Sequence, residues 1–219
     1  MDRQLAFDYP KKTRLGFEDF FVSDANQTAY AMICAPQAWP DGKLALTGPA
    51  GSGKTHLARI FAKQAGGQVL HAATLDPAAP MPATATVVED CDQMNPAAEE
   101  WLFHAHNHLR STGQPMLVTA TKAPARWSLT LPDLASRLSA CTVVEIGPPD
   151  DPLLTAVLIK HFQDRQLAPA PEALAYLCTH LPRSFQAVRD VVDVLDREAL
   201  SQSKALTRPF VRQVLDSLR

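Results

Sequence analysis

Eight consecutive residues, Gly48-Pro49-Ala50-Gly51-Ser52-Gly53-Lys54-Thr55, fit the pattern G-x-x-x-x-G-K-[ST]. Glycines at these spacings let successive backbone N–H groups turn inward around phosphate oxygens, and the N-terminus of a following helix adds a favourable dipole. In such a loop Lys54 neutralises β- and γ-phosphates, and the Thr55 hydroxyl ligates magnesium. His56 follows at the start of the helix. The chemistry expected is the binding of ADP or ATP with Mg2+. A glycine-rich turn without a ligand is the plainer alternative. The flanks argue against it: Leu44, Ala45 and Leu46 read as a short apolar strand, and Leu57, Ala58, Phe61, Ala62 and Ala65 give the next segment a helical apolar face.

The stretch "TVVEDCD" places Glu89, Asp90 and Asp92 where an apolar strand ends. Adjacent acids beside a phosphate loop can divide the labour: one holds a magnesium-bound water and the other polarises the attacking water. Glu89 is the candidate metal-side group, and Glu89 and Asp90 together the candidate catalytic acids. Alternatively, these acids only solvate a strand end. A third cluster, His104, His106 and His108 in "NPAAEEWLFHAHNHLRSTG", puts two imidazoles one helical turn apart. No acid or third ligand completes a zinc motif there, so they read as ordinary surface and half-buried histidines.

These groups need elements to hold them. The runs "QVLHAA", "TATVVED", "MLVTAT" and "CTVVEIG" alternate with helical stretches, which predicts a five-stranded parallel sheet covered on both faces. Beyond Gly147 the composition changes. "GPPDDP" reads as a linker, followed by four helices near 151–167, 171–181, 183–202 and 207–218 with no further strand. A length of 219 residues with 46% hydrophobic content suits one α/β domain plus a small helical satellite. The four cysteines, Cys34, Cys91, Cys141 and Cys178, form no C-x-x-C pair and read as reduced thiols in a cytoplasmic protein. A net charge of −2 supplies no general field for phosphate backbones. No membrane span or signal-peptide core is visible.

An α/β phosphate-loop core followed by a small all-helical lid resembles the AAA+ ATPases. The stretches "FEDFFVSDANQTAYA", "GPAGSGKTHL", "FHAHNHLRSTGQPMLVTATKAP" and "LPDLASRL" are similar to the ATPase domain of the DnaA family of replication initiators, from about Leu15 onward. The initiators carry a DNA-reading helix-turn-helix module after the lid, and no such module is expected before Arg219. They also carry a long helical insertion where this chain has only "HAATLDPAAPMPATA". An initiator-like ATPase core preceded by Gln4, Leu5 and Phe7 in "MDRQLAFDYP" resembles the Hda-type regulators. That resemblance implies three parts: a clamp-binding tag over 1–14, an AAA+ core over 15–148 and a lid over 149–219. It also implies negative regulation of replication initiation, with the DnaA initiator and the β sliding clamp of DNA polymerase III as partners. DNA would be approached only through the clamp.

The resemblance also implies roles for single residues. Arg137 in "LASRL" takes the position of an arginine finger, supplied in trans to DnaA-bound ATP. Thr121 takes the sensor position at the end of the fourth strand, where the initiators have an acid. Gln186 falls where their lid carries a sensor arginine, with Arg183 and Arg189 three residues to either side. Gln keeps a hydrogen bond but loses the charge. The Glu89-Asp90 order also departs from the usual one, in which Asp precedes the catalytic acid. Both departures lead us to expect weak ATP hydrolysis by the chain itself. The stretch with Phe17, Phe20 and Asn26 corresponds to the segment packing near the adenine, or is plain core. Two other functions remain open: a self-sufficient AAA+ motor such as a helicase loader, and a clamp-binding adaptor holding nucleotide only structurally.

Overall fold

The strands come first, because they decide which residues can meet. Lys43–Thr47 (β1), Gln68–His71 (β2), Thr86–Glu89 (β3), Met116–Ala120 (β4) and Thr142–Glu145 (β5) form one sheet in the order β2-β3-β4-β1-β5. Every pairing is parallel, with Leu44 beside both Leu117 and Thr142, and His71 beside Glu89. The computed structural model describes residues 20–217; Gln4, Leu5, Phe7 and Phe17 lie outside that range. All five β1 residues are buried, as expected of a central strand in a parallel sheet with both faces covered.

Alternation along the strands supplies two cores. Leu44, Leu46, Val87, Leu117 and Val144 join Leu57, Phe61 and Ile33, from helices Gln27–Cys34 (α1) and Lys54–Gln64 (α2). Ala45, Val88, Met116 and Val118 point to the opposite face, with Trp101, Leu102 and Ala105 of helix Pro96–Ser111 (α3) and Leu134 and Leu138 of helix Pro132–Ser139 (α4). Helix α3 starts where its sequence says it should: the Asn95 side chain accepts a hydrogen bond from the Ala98 N–H at 2.9 Å, and Pro96 follows. The short connection after β2 is pinned to α3, since the Trp101 Nε1–H donates to the Ala79 carbonyl at 2.9 Å.

The chain divides into two compact units, one ending at Gly147 and one from Pro148 onward. The second unit is built from helices Asp151–Asp164 (α5), Pro171–His180 (α6), Phe185–Gln202 (α7) and Arg208–Ser217 (α8). It has its own core, including Leu158, Phe162, Leu177, Val192, Leu195 and Phe210. Two of its ends differ from expectation. Helix α5 stops at Asp164, with Gln166 at φ 57°, and α7 starts at Phe185 because the Ser184 hydroxyl caps it by accepting from the Ala187 N–H at 3.3 Å. Within this unit the Arg165 guanidinium, buried at the end of α5, pairs with Asp193 and Asp196 of α7. Among the described residues no helix is long and apolar enough to cross a membrane.

Candidate functional site

The loop between β1 and α2 turns through three left-handed glycines, Gly48 (φ 148°), Gly51 (φ 81°) and Gly53 (φ 98°). Two of them are crowded where a side chain would begin. A Cβ on Gly48 would stand 2.8 Å from the Ile146 carbonyl oxygen and 3.0 Å from Ser52 Oγ, and one on Gly53 would stand 3.1 Å from the Phe20 ring. Pro49, Ala50, Gly51 and Thr55 are exposed, whereas Ser52, Lys54 and His56 are buried. Lys54 Nζ donates to the carbonyls of Gly48 at 2.8 Å and Pro49 at 3.0 Å. Burial holds its pKa below the usual lysine value, and Asp90, Asp92 and Glu89 pull in the opposite direction. The strands are parallel, so the loop after β1 and the acids at the end of β3 stand at the same end of the sheet. The buried Ser52 hydroxyl has no hydrogen-bond partner. Left-handed glycines, an ammonium and an orphaned hydroxyl are the donor set a polyphosphate requires.

Glu89 closes β3 at 1% exposure, with neither carboxylate oxygen hydrogen-bonded. On the adjoining strand, His71 Nδ1 lies 3.7 Å from its Oε2. A buried carboxylate that accepts no hydrogen bond is costly unless something binds it. A carboxylate of this kind suits a water carried by a divalent cation. Asp90 differs from its neighbour: it is exposed, at φ 58°, and its N–H donates to the buried Thr119 hydroxyl at 3.2 Å. Thr121 is committed elsewhere, since its N–H at 2.9 Å and its hydroxyl both donate to Asp92 Oδ2. Between these acids the Cys91 thiol is fully buried, and burial raises its pKa far above the ordinary value, which leaves it inert.

Phe20 lies against the loop, stacked on Tyr30 at 5.7 Å and edge-on to His56 at 5.2 Å. Asn26 serves a turn: its Oδ1 accepts from the Ser23 N–H at 2.8 Å, and its Nδ2 donates to the Phe21 carbonyl at 2.9 Å. Arg137 sits half-buried on α4, its guanidinium 5.1 Å over the Phe103 ring of α3. In the helical unit Arg183 donates to the Cys178 carbonyl at 3.1 Å and pairs with Asp151, while Gln186 donates to Asp190 Oδ1 at 2.7 Å. Of the three histidines on α3, His104 is exposed, His108 half-buried and His106 buried.

Sequence reasoning passed over His71 and Thr119. Both are ordinary strand residues until the register is known. The alternation of β2 and β3 narrows the partner of Glu89 to a few residues, but only the parallel pairing selects His71.

Residues 151–215 match the family described as "Hda, lid domain". An uncharacterized protein of Haemophilus influenzae is 27% identical over 183 residues, 77% of this chain and 79% of its own length. Domain III of the Thermotoga maritima replication initiation protein DnaA superimposes with a TM-score of 0.74 at 18% identity, over 95% of this chain and 98% of that one. AMPPCP-bound DnaA from Aquifex aeolicus gives 0.63 at 19% identity, over 90% and 70%. The RuvB Holliday junction branch migration motor of Thermotoga maritima gives 0.67 at 19%, over 94% and 72%. The chain thus shares the fold of these structures, a five-stranded parallel core followed by a helical unit, and that unit matches the Hda lid domain over residues 151–215.

Proposed function

We propose that this chain is a negative regulator of DNA replication initiation that binds ADP or ATP and acts on the ATP held by a DnaA initiator. The observation that carries this reading is the pairing of an Hda-type lid with a DnaA-like core whose phosphate loop is complete. Bound nucleotide with Mg2+ supplies the charge that the loop is built to receive. The backbone N–H groups of residues 48–55 orient its phosphates, Lys54 exchanges its carbonyl bonds for phosphate oxygens, and Thr55 and Glu89 stand on the magnesium side.

Arg137 acts outward, toward the γ-phosphate of a docked DnaA. An arginine supplied in trans stabilises charge developing in the transition state and is worth about 10³–10⁵ in rate. The chain's own hydrolysis is weak, because the residues that would drive it are otherwise engaged: Thr121 is tied to Asp92, Gln186 to Asp190 and Arg183 to Asp151. Gln4, Leu5 and Phe7 dock on the β sliding clamp, the aliphatic and aromatic groups filling an apolar cleft. A few such anchors carry most of an interface's energy.

The test is hydrolysis of DnaA-bound ATP with and without clamp loaded on DNA. Stimulation that requires the clamp, and is lost in both Arg137→Ala and Gln4→Ala, is the expected result. No stimulation in any mixture overturns the reading. The likeness to the RuvB motor favours a second reading, a self-sufficient ATPase; turnover of many ATP per second by the chain alone would decide for it.

A further inference from the structure

The proposed role of Arg137 makes a demand on the helix that carries it. Helix α4 has eight residues, about two turns, too short to hold a fixed course without help. Its entry is also poorly equipped. The residue before it, Leu131, offers no side-chain cap, and Pro132 has no N–H.

The segment leading into it is held from α3 instead. Glu99 is 2% exposed, and its Oε2 accepts three hydrogen bonds from the two residues just before α4: the Thr130 N–H at 2.8 Å, the Thr130 hydroxyl at 3.0 Å and the Leu131 N–H at 2.9 Å. A carboxylate there also meets the positive end of the helix dipole. One turn further along the same face of α3 is Phe103, the ring beneath the Arg137 guanidinium. On the same helix Trp101, Leu102 and Ala105 share a buried core with Leu134 and Leu138. Helix α4 is therefore gripped just before its first residue by a charge and at its arginine by an aromatic face, and both grips belong to one helix.

We infer that Glu99 and Phe103 are positioning residues that hold Arg137 at the angle from which it reaches a partner's γ-phosphate. The inference rests on the finger reading of Arg137 proposed above. Neither residue touches substrate; each acts through α4. A charge-stabilising group works only where it is already aimed, and a misplacement of about 1 Å can cost on the order of 10²-fold in rate.

The experiment compares Glu99→Ala, Glu99→Gln, Phe103→Leu and Arg137→Ala in the full chain. Each is titrated into ATP-loaded DnaA with clamp on DNA, giving both the maximal stimulated rate and the concentration for half effect. Glu99→Ala and Phe103→Leu are expected to lower the maximal rate by about tenfold or more. The half-effect concentration should stay within about twofold and ADP affinity unchanged. Glu99→Gln, which keeps an acceptor oxygen in place, should recover most of the rate. Phe103→Leu leaves the Glu99 hydrogen bonds intact and keeps an apolar side chain, so it tests the idea even if Glu99→Ala folds poorly. Wild-type maximal rates for Glu99→Ala and Phe103→Leu, with Arg137→Ala inactive, overturn this inference and leave the finger reading standing. Full activity of Arg137→Ala overturns the finger reading itself.

Discussion

The phosphate loop and the strand ends beside it are built on different principles. The loop is made of backbone: three left-handed glycines shape it, and its one cation rests on carbonyls of the loop itself. The ends of β3 and β4 are made of side chains, and most of those are spent on each other, Asp92 on Thr121 and Thr119 on the Asp90 N–H. The buried Glu89 has both oxygens unengaged by hydrogen bonds. Holding a nucleotide needs the first kind of structure, and hydrolysing it needs mobile or unpaired groups of the second kind. A protein strong in the first and constrained in the second suits regulation better than rapid turnover.

The largest test of that contrast is Lys54→Ala. Removing a buried charge from the cradle should weaken ADP binding by about 2–5 kcal/mol in a fluorescence titration. An affinity loss below about tenfold would mean the loop is not the main holding device.

The next effect should appear in acid. His106 is 5% exposed, and burial with Lys43, Arg137 and Arg110 nearby lowers its pKa from 6.5 to about 4. The unfolded chain therefore binds a proton in this interval that the folded chain refuses, so stability is full above pH 6.5 and falls as pH drops toward 4. The slope from this group is at most about 1.4 kcal/mol per pH unit. Urea unfolding at several pH values should show it, and His106→Gln should flatten it. An unchanged slope in that variant would remove His106 from the account. Since His106 is on α3 and not in the phosphate loop, the effect should leave ADP affinity nearly unchanged at pH 7.

The smallest expected effect separates the two regions most finely. Glu89→Gln exchanges a buried carboxylate that accepts no hydrogen bond for a neutral amide, so thermal stability should hold or rise by about 1 kcal/mol while residual hydrolysis disappears. A clear loss of stability would show that the His71 contact supports the fold.

The sequence disclosed the loop so readily because its function lies in residue types that few other structures require. The five strands were legible for a similar reason, as apolar runs punctuated by turns, and all five form one parallel sheet. What escaped was pairwise. The bonds of Asp92 to Thr121 and of Glu99 to Thr130 join residues 29 and 31 positions apart. Nothing in a linear pattern distinguishes a carboxylate that anchors a distant segment from one that meets water, because a Glu in the first turn of α3 already has a local reason to be there.

The most direct measurement is a single-turnover comparison in one tube, with differently labelled ATP loaded on DnaA and on this chain in the presence of DNA-loaded clamp. The account predicts that the DnaA-bound label is hydrolysed quickly and the chain's own label persists. Rapid loss of the chain's label, with DnaA's ATP unaffected, would contradict it.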